Sequence, residues 1–210
     1  MIAIDGMPGA GKTTALHRLQ DTLPHQVVVF PEAQPPDDLI SDEATARYLL
    51  TEAQGRLVDA QRLQQAHPGL LVFSDRCHIG VLAYRYALQV TGQGSRQDFD
   101  RALELADHFG LTAPGAHDHV LVLLVDPAES VARRSAYAHD DRYRLWFDPD
   151  FLDAYHRFLT HLDTWLPPDS FTTHDAITSS AWTALLNALP PHLTERLTPT
   201  PATADRPEAP

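Results

Sequence analysis

The chain has 210 residues, the size of one large domain, and 43% of them are hydrophobic, which is enough for a packed core. The formal net charge is −12, and a surface of that sign repels phosphate backbones and anionic lipid, so we expect no nucleic-acid partner and no membrane partner. Cys77 is the only cysteine, which excludes an internal disulfide and a cysteine-rich zinc site. Without a membrane-span pattern or a signal-peptide pattern, the sequence predicts a cytoplasmic protein.

Short apolar segments alternate with helical patterns along most of the chain. The apolar segments predict strands at Met1–Asp5, Val27–Phe30, Leu70–Phe73, Val120–Val125 and Ser170–Thr173. Between and after them the spacing predicts helices from about Lys12 and at about Asp42–Ala66, His78–Val90, Arg96–Phe109, Ala128–Tyr137, Pro149–Trp165 and Thr178–Leu189. Strands that alternate with helices are typical of a three-layer α/β fold, here an about five-stranded parallel sheet with helices on both faces.

The domain organisation follows from composition. The sequence shows no internal repeat and no internal linker, so we expect one domain over residues 1–197. Four of the last thirteen residues are proline, and no bulky apolar residue follows Leu197. Because such a segment cannot offset its ordering entropy by burial, residues 198–210 are predicted to be a disordered tail.

A phosphate-binding motif lies between the first strand and the first helix. Residues 6–13 read Gly-Met-Pro-Gly-Ala-Gly-Lys-Thr, which satisfies G-x-x-x-x-G-K-[ST], and Thr14 follows. Glycines let consecutive N–H groups turn inward around phosphate oxygens, and the following helix directs its positive end at the same anion. The motif predicts binding of ATP by Gly6, Pro8, Gly9, Ala10, Gly11, Lys12, Thr13 and Thr14. Lys12 is expected to contact the β- and γ-phosphates, and Thr13 to be a ligand of Mg²⁺.

Charged residues follow the second and third strands. Ligands of open α/β sheets bind beyond the carboxyl ends of the strands, so Asp75, Arg76 and Glu32 are expected near the phosphate loop. Asp75 is predicted to hold Mg²⁺, and Arg76 to contact the acceptor or the transferred phosphoryl group. Glu32 can act as a base for an attacking hydroxyl, bind that hydroxyl, or pair with an arginine.

Four of the sixteen lysines and arginines are concentrated in twelve residues, at Arg133, Arg134, Arg142 and Arg144. A phosphoryl-transfer enzyme needs mobile positive charge that closes over the γ-phosphate and excludes water. We therefore predict a lid at about residues 133–147, with Arg133 and Arg142 as its catalytic arginines. A solvated helix face balanced by nearby aspartates is the structural alternative.

These segments resemble thymidylate kinase and the wider nucleoside and nucleotide kinase group of P-loop NTPases. The resemblance rests on residues 6–14, the Asp75-Arg76 pair, Ala83-Tyr84 and the segment from Val125 to Arg133. It implies the three-layer P-loop NTPase fold, ATP and Mg²⁺ as cofactors, and Arg56 and Tyr84 as residues that contact the acceptor. It also implies a homodimer formed through helices near the third strand.

The chain departs from thymidylate kinase at four positions. That family has Arg-Glu-Pro after the second strand, whereas this chain has Pro31-Glu32-Ala33, which is nearer to deoxynucleoside kinases and to nicotinamide-riboside-kinase-like ATPases. Gly80 and Arg85 replace a serine and a glutamine of the family. Recognition of thymine and of a monophosphate both depend on residues that differ here.

The sequence therefore predicts a small-molecule kinase that transfers the γ-phosphoryl group of ATP to a nucleoside monophosphate such as dTMP. One alternative is a nucleoside or other small-molecule hydroxyl as acceptor, with Glu32 as the base. A second alternative is a P-loop ATPase switch or binding module. The chain lacks the Asn-Lys-x-Asp motif of GTPases, and its short length and lone Asp75-Arg76 pair argue against AAA-type ATPases.

Overall fold

The computed structural model describes residues 1–39, 41–167 and 171–175, together with Trp182 and Leu186, and these residues are the basis of every structural statement below. Five strands form one sheet: Ile2–Gly6 (β1), Val27–Phe30 (β2), Leu71–Asp75 (β3), His119–Leu124 (β4) and Thr172–Asp175 (β5). The α-helices of the described part are Lys12–Thr22 (α1), Asp42–Ala66 (α2), His78–Val90 (α3), Arg96–His108 (α4), Pro127–Arg133 (α5) and Pro149–Thr160 (α6).

The sheet is parallel throughout, with the strand order β2-β3-β1-β4-β5. The chain moves from the central β1 outward to β2, returns to β3, and then crosses to β4 on the other side of β1. Right-handed crossovers in opposite directions place the connecting helices on opposite faces of the sheet, which confirms the predicted three-layer α/β fold. The carboxyl ends of β1 and β3 lie side by side at the reversal, where open α/β sheets bind ligands.

Local sequence accounts for the elements. Every residue of β1 is buried, since β3 and β4 flank this central strand. The helix α2 begins at Ser41, whose hydroxyl accepts a hydrogen bond from the Ala44 N–H at 3.1 Å. A capping box between Ser95 and Asp98 begins α4. The last helices, α5 and α6, start with proline after an aspartate cap, at Asp126 and Asp148.

The largest boundary differences from the sequence prediction are at the carboxyl ends of α5 and α6. The predicted helix Ala128–Tyr137 ends at Arg133, because Arg134 has a φ of −109° and its N–H bonds the Val131 carbonyl three residues back. Two 3-10 helices follow, at Ser135–Tyr137 and Asp141–Phe147. Shorter than predicted, α6 ends at Thr160 and is followed by a 3-10 helix, and β5 starts two residues later than predicted.

Two predicted segments lie outside the described residues. These are the tail, residues 198–210, and the last helix at 178–189, of which only Trp182 and Leu186 are described, both as helical. In the described part, no helix has the length and apolarity needed to cross a membrane.

Candidate active site

The phosphate loop adopts a backbone that glycine permits. Gly6, Gly9 and Gly11 have positive φ angles of 120°, 71° and 85°. A Cβ atom on Gly6 would lie 2.1 Å from the carbonyl oxygen of Leu123 in β4, so the neighbouring strand leaves no space for a side chain. The Met7 N–H donates to that same carbonyl at 2.9 Å, which fixes the start of the loop against the sheet. The rest of the predicted set, Pro8, Ala10 and Thr14, lies in this loop and the first turn of α1.

Lys12 is buried although it is the first residue of α1. Its ammonium donates hydrogen bonds to the carbonyl oxygens of Gly6 at 3.0 Å and Met7 at 2.8 Å. Burial, followed by the positive charge of Arg76, lowers the pKa of Lys12 to about 7. Lys12 therefore crosses the loop it belongs to, and its positive charge is poorly compensated until an anion binds there.

The predicted magnesium residues are brought together. The Thr13 hydroxyl donates a hydrogen bond of 2.6 Å to Oδ2 of Asp75, joining the start of α1 to the end of β3. The other carboxylate oxygen, Oδ1, is buried and has no hydrogen-bond partner among the described residues. A buried carboxylate oxygen without a partner is unfavourable, and a hydroxyl beside a carboxylate is an oxygen donor set that suits Mg²⁺. The residues present therefore fit this ion.

Arg76 and Glu32 form an ion pair at the carboxyl ends of β3 and β2. The Nε atom of Arg76 contacts Oε1 of Glu32, and its Nη1 atom lies 4.0 Å from Asp5. Burial alone would lower the pKa of Arg76, but Glu32, together with Tyr155, Asp5 and Asp75, outweighs it and the pKa is raised. Arg76 is also the only non-glycine residue of the described chain with a positive φ, at 70°. For such a residue this conformation costs of the order of 1 kcal/mol, and it is common at functional sites.

Asp5 organises the start of α3, a role that the sequence pattern did not reveal. Its Oδ2 atom accepts hydrogen bonds from the N–H groups of Cys77 at 2.9 Å and Gly80 at 2.8 Å. The helix thus receives its cap from β1, since the Cys77 side chain supplies none. A Cβ atom on Gly80 would lie 2.8 Å from Oδ1 of Asp5, which explains why glycine stands where thymidylate kinases have serine.

A cavity of about 580 Å³, hereafter the main cavity, opens beside the phosphate loop. Its walls come from the loop, the segment after β2, α2, α3, the lid and α6. Predicted site residues on the wall are Pro8, Thr13, Glu32, Arg56, Arg76 and Tyr84. Arg56 also donates from Nη1 to the Ser74 hydroxyl at 3.1 Å and to the Asp75 carbonyl at 3.4 Å, so it is bound to the end of β3. Burial lowers the pKa of Arg56.

The lid presents Arg134 to the main cavity. Its guanidinium lies 5.5 to 5.9 Å from the ring centres of Tyr143, Trp146 and Phe147, and its buried Nη1 atom has no partner among the described residues. The predicted Arg133 instead pairs with Glu129 at 2.8 Å and donates to the Gly9 carbonyl at 3.3 Å. The side chain of the other predicted residue, Arg142, lies outside the described part.

Tyr155 is a further wall residue that the sequence pattern did not single out. Its ring is fully buried against Trp146, with ring centres 5.3 Å apart, and its hydroxyl lacks a hydrogen-bond partner in the described part of the chain. Burial raises the pKa of Tyr155, so the hydroxyl stays protonated and can act as a donor. The only signal in the sequence is the helical pattern of Pro149–Trp165, which marks Tyr155 as a core residue.

Comparison with known proteins identifies a family and a set of structures. Residues 1–162 match the family model described as an AAA domain. Deoxyadenosine kinase from M. mycoides with bound dATP has a TM-score of 0.55 at 16% identity, covering 89% of this chain and 97% of that one. The same enzyme with bound dCTP gives a TM-score of 0.52 at 15% identity, covering 90% and 99%. No curated protein matches the chain.

The family match corrects one exclusion made from the sequence. Chain length and the lone Asp75-Arg76 pair argued against AAA-type ATPases, yet the matching family is described as an AAA domain. The matched residues 1–162 include the phosphate loop, β1 to β4 and the lid. The chain belongs to this AAA domain family and has a P-loop NTPase fold shared with deoxyadenosine kinase.

Proposed function

We propose that this protein is an ATP-dependent phosphotransferase whose acceptor is the hydroxyl group of a nucleoside or a similar small molecule. The observation that carries the proposal is the Glu32–Arg76 ion pair, which lies on the wall of the main cavity beside the phosphate loop. A carboxylate at that place can accept the proton of a hydroxyl as the oxygen attacks phosphorus. The deoxyadenosine kinases that share the fold agree with a hydroxyl acceptor.

Each residue has a role in this proposal. Loop N–H groups and Lys12 bind the β- and γ-phosphates, and burial makes the positive charge of Lys12 effective there. Glu32 accepts the proton of the attacking hydroxyl, and Arg76 orients that carboxylate through their ion pair. Arg134 lies on the lid side of the main cavity, where it can stabilise charge on the transferred group.

Thr13 and Asp75 are the residues that would hold Mg²⁺. The ion supplies neutralisation of the phosphate charges when it is bound. Ser130 supports the same region, since its buried hydroxyl donates to the Pro8 carbonyl at 2.8 Å and ties α5 to the loop. This contact couples the helix that leads into the lid to the phosphate-binding backbone.

A monophosphate acceptor, as in thymidylate kinase, is the second candidate. The observation in its favour is the charge of the main cavity, whose described wall residues include four arginines and two acids, Glu32 and Asp42, in a chain of net charge −12. The four arginines are Arg56, Arg76, Arg85 and Arg134. Against it, Arg76 is already paired with Glu32, and Pro31 replaces the arginine that thymidylate kinases have before this glutamate.

The experiment compares phosphoryl transfer from labelled ATP to deoxyadenosine, thymidine and dTMP by wild-type protein and Glu32→Gln. If Glu32 is the base, transfer to a nucleoside falls about 10²-fold or more, because general base catalysis is typically worth that much. Glu104→Gln, an exposed change on α4, is the matched control and should leave transfer unchanged.

Three results would contradict the proposal in distinguishable ways. Transfer to dTMP that survives Glu32→Gln, without transfer to either nucleoside, establishes the second candidate. Hydrolysis of ATP at a rate independent of all three acceptors establishes an ATPase, the activity that the AAA description of the family evokes. If phosphoryl transfer to a nucleoside is unchanged in Glu32→Gln, Glu32 is not the catalytic base.

A further inference from the structure

The turn at the end of β3 holds two site residues in different ways. Asp75 is fixed by its side chain, which accepts the hydrogen bond from Thr13. Arg76 is fixed by its backbone: its N–H donates to the Ile4 carbonyl of β1 at 2.9 Å, and its carbonyl accepts from the Ser74 hydroxyl at 2.8 Å. Both bonds hold Arg76 in its left-handed conformation, from which its side chain meets Glu32.

Ser74 is the middle of a directed chain of hydrogen bonds. A hydroxyl has one proton, and that of Ser74 goes to the Arg76 carbonyl, so the bond with Arg56 uses a lone pair of the Ser74 oxygen. The chain therefore runs from the Arg56 guanidinium through the Ser74 hydroxyl to the Arg76 backbone. Ser74 is buried, with 1% of its surface exposed, so water does not compete for these bonds.

Arg56 lies at the other end of this chain and faces the main cavity. It comes from α2, and all its hydrogen bonds within the described residues are made by the single atom Nη1. A guanidinium has five N–H donors, so the Nε and Nη2 groups remain for a molecule in the cavity. A ligand that orders Arg56 thereby orders the donor to Ser74.

We propose that Ser74 is a positioning residue that connects the acceptor contact of Arg56 to the backbone of Arg76. Through this connection, acceptor binding in the main cavity stabilises the left-handed turn and holds the Arg76 guanidinium against Glu32. The inference rests on the proposed function for its catalytic consequence, whereas the link itself is a property of the free protein. We therefore expect a hydrogen-bond-accepting group of the acceptor molecule to bind on the Arg56 side of the cavity.

The test combines kinetics with crystal structures of variants. Ser74→Ala removes the hydroxyl, and we expect kcat with deoxyadenosine or thymidine to fall at least about tenfold while KM for ATP is unchanged, since a small misplacement of a catalytic group has an effect of this order. Arg56→Met should lower kcat similarly, and the double variant should be no worse than either, because both break one chain. Ser74→Thr keeps a hydroxyl and should restore most of kcat.

Thr91→Ala is the matched control, since it also removes a hydroxyl bound to a backbone carbonyl but lies at the end of α3. A crystal structure of Ser74→Ala should show Arg76 without its positive φ or without its contact to Glu32. If both features persist, or if the losses of Ser74→Ala and Arg56→Met multiply, the proposal is wrong. If wild-type protein transfers phosphate to no acceptor, the proposed function fails, and the variant structure still decides whether Ser74 positions Arg76.

Discussion

The phosphate loop and the main cavity share Pro8 and Thr13 but are built in different ways. The loop is one continuous segment, and its conformation follows from three glycines with positive φ and a close contact with β4. The cavity wall instead takes side chains from six separate parts of the chain. The conformation of a site made of consecutive residues depends on the backbone of the whole segment. In a site made of distant residues, by contrast, individual side chains can be substituted without changing the fold.

Gly6→Ala is the strongest test of the loop. The added Cβ would lie 2.1 Å from a backbone oxygen of β4 at a φ of 120°, so we expect a loss of at least about 3 kcal/mol in the free energy of unfolding. Gly55→Ala, in the middle of α2 with nothing within 4 Å of the new atom, is the control and should gain up to about 1 kcal/mol. Urea unfolding followed by circular dichroism measures both, and equal stability of the two variants would contradict the packing described here.

Asp75→Asn tests the junction between the loop and the cavity. The amide is of nearly the same size but has lost the negative charge that suits Mg²⁺, so turnover should fall about 10²-fold or more while the affinity for ATP changes little. Turnover is measured at saturating ATP across a range of magnesium concentrations. Asp118 pairs with the N-terminus far from the loop, so Asp118→Asn provides the control. If Asp75→Asn keeps wild-type turnover at limiting magnesium, the Asp75 carboxylate does not hold Mg²⁺.

The contrast between the phosphate loop and the main cavity also explains which features of the protein could be predicted from the sequence. The strand order could not be derived from the pattern, but each strand and α-helix of the described part was anticipated, because apolar spacing and the breakers between elements are local signals. Asp75, Arg76 and Glu32 could be predicted since all follow parallel strands, whose carboxyl ends meet at one edge.

The remaining site residues depend on packing that no local pattern contains. Asp5 looks like the last residue of a strand, and only the structure shows that it caps α3, 72 residues away. Tyr155 has the spacing of a core residue and is one, yet it also lines the cavity. Arg133 and Arg134 are adjacent, and the end of α5 between them decides which of the two lies on the cavity wall.

That choice can be tested with Arg134→Met and Arg133→Met. Arg134 lines the main cavity, and its Nη1 atom has no hydrogen-bond partner among the described residues, so its loss should lower turnover about tenfold to a hundredfold, up to the lower end of the range seen when a charge-stabilising donor is removed. Arg133 pairs with Glu129 and makes only a 3.3 Å bond to the Gly9 carbonyl, so Arg133→Met should lower turnover less than about threefold because exposed ion pairs contribute little. Initial rates at saturating ATP measure both. A larger effect of Arg133→Met would support the choice made from the sequence.

The last expected effect, at most about tenfold per pH unit, concerns the pH dependence of ATP binding. The free protein holds Lys12 with a pKa lowered to about 7 by burial, whereas bound phosphate favours the protonated amine. Below this pKa the free protein already carries the proton and the affinity is constant. Above it, binding must take up a proton, so Kd should rise by up to about tenfold per pH unit. The contribution of Lys12 to the stability of the free protein changes in the opposite direction: it rises with pH above about 7, because the unfolded chain keeps its proton up to the ordinary pKa of 10.5.

Isothermal titration calorimetry in buffers of different ionisation enthalpy measures both Kd and the number of protons taken up. Lys12→Arg keeps a positive charge at every accessible pH, and its Kd should therefore not vary between pH 7 and 9 beyond what the titration of ATP itself produces. The same titration of ATP affects both proteins, so the difference between their profiles isolates Lys12. If the two profiles are parallel, Lys12 is fully charged in the free loop, and its bonds to the Gly6 and Met7 carbonyls compensate for burial before any phosphate binds.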